Sequence, residues 1–371
     1  MKEKEQVINK TRKSLKAVVW LLLMVIVFSL TPNAAIERKT SGKFYGTKWS
    51  YNTKTKTLTL SCKGKMDDLR VGGSHKNVDW PWAVWGYEME KIVVKEGVTY
   101  LGYHVTSKCG KVKSVSLPKS LKRIGYDAFY DTKITKIVLP PNLKIIEGEA
   151  FSYSKLKKLV IPSSVSRIDG AAFKACKKLT KVQLPQKLEK LSDWIFFYCP
   201  KLKTVTIPSN ITQIGEGAFC ESGLITITIP KKVTRIKAEA FKKCTSLKKV
   251  TFKTNKLTTI EASLFEGCKK LTAITLPDSI TKIKKQAFKG SGLTTVTIPG
   301  QVTAIEEEAF ANCKGLKEIT FTGSQLTGIG SNAFHNVPAD CVFRVPAGQT
   351  ENIKALLMAS GLGDTVTVTE Y

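Results

Sequence analysis

The side chains from which this 371-residue chain could build chemistry are three histidines, nine cysteines and a large excess of lysine. His75, His104 and His335 are scattered, so a Ser/His/Asp constellation cannot be assembled around them. No CxxC or Cys/His spacing suits zinc. The loop Gly72-Gly73-Ser74-His75 is glycine-rich but lacks the strand-to-helix context of a phosphate-binding turn. Glu147 with Glu149, or the run Glu306-Glu307-Glu308, has the makeup of a paired-carboxylate hydrolase. Both groups read instead as exposed turn residues. No catalytic residue, metal ligand or cofactor is expected.

Charge points elsewhere. Against 30 Asp+Glu stand 59 Lys+Arg, a formal net charge of +29, and 52 of the basic residues are lysine. Arginine reads phosphates and bases through a planar fork, whereas lysine is a flexible point charge. The excess therefore implies diffuse attraction to polyanions more than base-specific recognition. Single-strand nucleic-acid binding would also need aromatics beside the charges, which makes nucleic acid an unfavoured partner.

Two segments frame the elements that must carry these residues. Residues 1–16 hold six basic side chains, and 17–30 (AVVWLLLMVIVFSL) hold no charge. With Ala34 and Ala35 following, residues 1–35 read as a secretory signal peptide, or as an uncleaved anchor through 17–30. Fourteen apolar residues fall short of the roughly 20 that a spanning helix needs. The body is one repeated unit, with phenylalanine recurring at 129, 151, 173, 196, 219, 241, 265, 288, 310 and 334, a period of 22 to 24 residues. The template is L-x-x-I-x-I-P-x-x-I-x-x-I-x-x-x-A-F-x-x-C. L-x-x-I-x-I alternates as a short strand does, and proline ends it. I-x-x-I-x-x-x-A-F has the spacing of a helical or 3-10 turn packing inward. One unit cannot bury its own Leu, Ile and Phe, but stacked units can.

The expected fold is an α/β solenoid, a parallel β-strand stack with short helical or 3-10 turns in about eleven repeats, and it is the leucine-rich-repeat solenoid that the resemblance given below implies. Residues 36–90 are expected to form an N-terminal cap, with Trp49, Trp80, Trp82 and Trp85 over the first turn. The solenoid covers 91–337. A C-terminal cap covers 338–371, with strands over 342–345 and 366–369 and a helix over 349–360.

Five cysteines (176, 199, 244, 268, 313) share the slot three residues after the repeat Phe, which Ser222 and Ser291 fill elsewhere. Two readings stand: free thiols packed as small hydrophobes, or disulfides between neighbouring turns such as Cys176–Cys199 or Cys244–Cys268. Lysines and threonines alternate with the inward strand residues and stack into ribbons. Lys158, Lys181, Lys203 and Lys249, with Thr206, Thr228, Thr251, Thr275, Thr297 and Thr320, form the candidate binding face.

The repeat, the lead-in Leu58-Thr-Leu-Ser-Cys-Lys-Gly-Lys-Met66, Pro81-Trp82 and Val93-Val-Lys-Glu-Gly-Val98, and the exit Val345-Pro-Ala-Gly348 resemble the BspA-like class of bacterial leucine-rich repeats. Cys62 departs from that pattern, standing where the lead-in commonly has glycine. The resemblance implies a secreted or cell-surface protein, adhesin-like and non-catalytic, that contacts a host or envelope macromolecule. The partner class is an extracellular protein, a polyanionic glycan or a wall polymer, with the protein itself a monomer. The alternative is a cell-envelope scaffold held electrostatically to anionic wall polymer.

Overall fold

The computed structural model describes residues 38–66, 80–106 and 109–371. The expected export segment over 1–35, the loop at 72–75 and its His75 lie outside them. Residues 41–371 form one compact unit, a solenoid of about twelve turns with very little helix.

Most turns lay down two parallel strands, as the alternating pattern requires; over 134–139, 202–207 and 271–276 the first segment is not a regular strand. The first comes from L-x-x-I-x-I. Thr226–Ile229 pairs with Lys249–Phe252 in the register Thr226↔Lys249 to Ile229↔Phe252, and Thr295–Ile298 pairs with Glu318–Phe321 in the same way. The following proline closes a turn onto the next inward residue: the carbonyl of Pro208 accepts the N–H of Ile211, and that of Pro230 the N–H of Val233. A second, two-residue strand follows, as at Gln213–Ile214 beside Arg235–Ile236.

The Ala-Phe side is built differently from a continuous 3-10 segment. Counted from the repeat Phe, the N–H groups of the residues at −1, +1 and +3 bond back three residues within their own turn in most repeats, as in Ala218→Gly215, Cys220→Gly217 and Ser222→Phe219. Those at −2, 0 and +2 donate to the next turn instead: Gly217→Ala238, Phe219→Ala240 and Glu221→Lys242. The residues at −2 and +2 are left-handed even where a side chain is present, as at Ala171 (φ 56°), Trp194 (φ 59°) and Tyr198 (φ 53°). A left-handed residue with a Cβ costs about 1 kcal/mol or more, and the inter-turn hydrogen bonds offset it.

The Phe rings are fully buried and form one column. From Phe129 to Phe334 successive centroids lie 5.1–5.7 Å apart with interplanar angles of 26° or less. Phe343 closes the column edge-on at 5.3 Å. At the start, antiparallel strands Ser41–Phe44, Thr47–Asn52 and Thr57–Ser61 lead in, and the last pairs in parallel with Lys91–Val94. Trp80 and Trp82 stack at 4.7 Å, and their Nε1 groups donate to the carbonyls of Tyr103 and Val105 at 2.8 and 2.9 Å. Trp49 lies against Trp82, and Tyr51 stacks on Trp85. At the other end Val342–Val345 pairs with Thr367–Glu370, and the helix Thr350–Ala359 buries Ile353 and Leu357.

Candidate functional site

The outward positions of the first strand form two rows across the turns. Lys158 pairs with Lys181 and Thr226 with Lys249 in one row; Thr228 pairs with Thr251 and Thr297 with Thr320 in the other. Thr206 and Thr275 hold the second row's position in turns whose segments are not regular strands, and both are exposed. Lys203 stands one residue before the first row, where its carbonyl accepts the N–H of Ile225. The rows therefore divide in character. The threonines fill the later turns, while the earlier ones expose Val138 (86%) and Val160 (63%) beside Lys136, Lys158 and Lys181. Those valines were not singled out from sequence, although their register position marks them as outward.

Ion pairing separates this face from the Phe side. On the Phe side, lysines meet carboxylates of their own or a neighbouring turn: Lys242 with Glu239 and Glu266, Lys284 with Glu261, Lys285 with Glu307, Lys289 with Glu308. On the strand face, Lys158, Lys181, Lys203 and Lys249 are exposed and make no ion pair among the described residues. These four lysines thus leave unneutralised charge on the strand face, whose one carboxylate pair in the last turns, among the described residues, is Glu318 with Arg344. Between two threonine turns lies an open groove of about 730 Å³, lined by Thr204, Thr206, Thr226 and Thr228, with Lys231, Lys232 and Lys253 along it.

Comparison with known proteins decides the family. Six copies of the BspA type leucine rich repeat region match, over residues 84–199, 144–260 and 253–347. The chain belongs to this family. Among solved structures it is similar to a leucine-rich repeat protein from Bacteroides ovatus, at 22% identity over 89% of this chain and 99% of that one, with a TM-score of 0.54. A leucine-rich repeat protein from Eubacterium ventriosum shares 25% identity over 79% and 93% of the two chains, also with a TM-score of 0.54. The pneumococcal vaccine antigen PcpA shares 16% over 89% and 98%, with a TM-score of 0.50. No curated protein matches in sequence.

In this BspA-type chain all nine cysteines are free thiols. Each slot cysteine donates to the carbonyl of the previous turn's Phe, as Cys176 Sγ does to Phe151 at 3.2 Å and Cys244 Sγ to Phe219 at 3.0 Å. Ser154, Ser222 and Ser291 sit 3.3 Å from the Sγ of Cys176, Cys244 and Cys313 in the following turn. Burial pushes the Cys176 and Cys244 thiols up to about 12, which leaves them protonated and poor nucleophiles. The choice between thiol and hydroxyl follows loop length. Cysteine occupies the slot where the next inward Leu lies six residues after Phe, and Thr132, Ser154, Ser222 or Ser291 where the next inward Leu or Ile lies five after it.

The BspA-type turns also correct the carboxylate expectation: Glu147 is buried, salt-bridged to Arg123 and accepting the N–H of Tyr126, so it is no exposed turn residue. Among the described residues no three His, Cys, Asp or Glu converge as metal ligands, and no helix is long and apolar enough to cross a membrane. Asp127 is buried with one oxygen unpartnered, and its other oxygen is 3.3 Å from His104 Nδ1. Burial, and then the charge of Glu149, push its carboxyl up from 3.8 to about 7. The folded state thus favours the protonated form. That contribution is fully present below the ordinary carboxylate range and is lost as pH rises toward 7, by at most about 1.4 kcal/mol per pH unit. Asp127→Asn should therefore raise the melting temperature at neutral pH and flatten its dependence between about pH 4 and 7. Thermal melts of the two proteins with equal pH slopes would remove this assignment.

Proposed function

We propose that this protein is a non-catalytic, secreted or cell-surface binding protein that engages an anionic extracellular macromolecule through its strand face. The observation that carries the reading is a contrast in pairing: Lys242, Lys284, Lys285 and Lys289 on the Phe side meet carboxylates, whereas Lys158, Lys181, Lys203 and Lys249 on the strand face meet none among the described residues. Stacked turns turn single lysines into a ribbon, so a long polyanion or an acidic protein surface meets many charges at once. The basic and apolar pattern of residues 1–35 supports export. Adhesion to a host macromolecule is the first reading. Retention on anionic wall polymer as an envelope scaffold is the second, favoured by the net charge of +29.

The test is binding of the full chain to heparin, mucin, matrix proteins and wall polymer at low and high salt. Replacing Lys158, Lys181 and Lys249 together by glutamate should weaken polyanion binding roughly ten- to hundredfold at low ionic strength. Retention should also fall steeply once the Debye length shrinks below about 8 Å. Unchanged affinity in the triple variant would sink the charge-ribbon reading. Capture of one protein that survives high salt would direct attention to the threonines and to Val138 and Val160.

A further inference from the structure

A second surface, on the Phe side of the early turns, has a different chemistry. Three residues before the repeat Phe, successive turns carry Tyr126, Gly148, Gly170 and Asp193. Two neighbouring turns thus lack a side chain at one register position, and a trough of about 490 Å³ opens there. Tyr126 and Trp194 contribute aromatic walls to it. The space is tight at its floor: a Cβ on Gly148 would stand 3.1 Å from the Tyr126 ring, and one on Gly170 would stand 3.2 Å from the Asp193 carbonyl.

The lining is polar, with four carboxylates against two guanidiniums. Glu147 is salt-bridged to Arg123, Arg167 Nε lies 3.1 Å from Asp169, and Tyr126 donates its hydroxyl to Glu149 at 2.9 Å. Asp193 accepts from Lys237 at 3.0 Å and from the Glu216 N–H at 2.8 Å. Two of the chain's seven arginines line the trough and no lysine does. In a protein of net charge +29, a trough whose carboxylates outnumber its guanidiniums four to two and whose lining holds no lysine is not shaped for a polyanion. The partly exposed Glu149 and Asp169 and the exposed Arg167 add acceptors and donors at its edge. Such a surface suits a ligand rich in hydroxyl groups, which donate to carboxylates and accept from a guanidinium, with apolar ring faces for the aromatic walls. The turn spacing of about 4.8 Å is close to the rise of one pyranose along an extended chain.

We propose that this trough is a binding site for a neutral saccharide chain. It is separate from the strand face and independent of the polyanion reading.

The test is calorimetric titration of the full chain with cellohexaose, maltohexaose and laminarihexaose, with hexalysine as a cationic probe. At least one hexasaccharide should bind with Kd below about 1 mM, unchanged between about 0.05 and 0.5 M salt. Gly170→Val, which fills the trough, and Arg167→Ala, which removes a half-exposed rim donor, should each weaken it about tenfold. Arg167→Ala keeps the test valid if Gly170→Val fails to fold. The Lys158/Lys181/Lys249→Glu variant should bind the sugar normally while losing polyanion affinity, so failure of either reading is seen separately. Three results would overturn the proposal: no hexasaccharide binding at about 5 mM, binding untouched by Arg167→Ala, or salt-sensitive capture of hexalysine alone.

Discussion

Phe219→Ala should lower the free energy of unfolding by about 3–5 kcal/mol. The ring is fully buried between those of Phe196 and Phe241, with centroids at 5.6 and 5.7 Å, so its removal leaves a void no neighbour fills without leaving its own stack. The effect has two parts: lost transfer of the ring from water, and lost contact with two parallel rings, each pair worth about 0.5–1.5 kcal/mol. Because a solenoid turn is held chiefly by its two neighbours, the damage reaches the turns before and after. Urea unfolding followed by far-UV circular dichroism reads this as a lower midpoint. An unmoved midpoint would mean that Phe219 is not in the column.

Gly223→Ala should cost roughly 3 kcal/mol, for a reason of the opposite kind. Its Cβ would stand 2.1 Å from the carbonyl oxygen of Pro200, and the equivalent atom on Gly292 would stand 2.1 Å from that of Lys269. Both obstacles are backbone, and both glycines donate an N–H to the preceding turn, to Cys199 and Cys268 at 3.1 Å. The turns must therefore move apart to admit a methyl group. Gly315→Ala is the control, since its Cβ meets nothing nearer than 3.5 Å, and it should shift stability by no more than about 0.5 kcal/mol. Equal losses in Gly223→Ala and Gly315→Ala would assign the effect to glycine's backbone freedom instead of to close approach.

The strands, prolines and Phe column were legible because each imposes a period, two within the strand and 22–24 along the chain, that survives in one sequence. The left-handed residues were less legible. Gly217, Gly267, Gly290, Asn312, Asn332 and Asn336 announce that conformation, but Ala171, Ala175, Trp194 and Tyr198 adopt it only because the turns on either side demand it. The pairing of lysines on the Phe side was hidden for another reason. The partner is displaced by about one repeat, as from Lys284 to Glu261 or Lys285 to Glu307, so local charge counting misses it. The trough shares that property: Gly148 and Gly170 look unrelated until the register is applied. Loop length and slot residue could have been linked from spacing alone, since five residues go with a hydroxyl and six with a thiol.

The inter-turn backbone bonds made at the −2, 0 and +2 positions of the Phe side run one way. From His104 onward the residues at −2, 0 and +2 donate toward the C-terminal end, so their peptide dipoles add along the stack as they do in a helix. The polarity is reversed, however: carbonyls face out at the N-terminal end and amides at the C-terminal end. The two caps answer this asymmetry. Trp80 and Trp82, spaced by two like the donors they replace, bring indole N–H groups to the open carbonyls of Tyr103 and Val105. At the far end the carbonyl of Ser360, at the negative terminus of the only α-helix among the described residues, accepts the N–H of Asn332 at 2.7 Å. The caps are thus electrical complements as well as apolar lids, and neither could serve at the other's end.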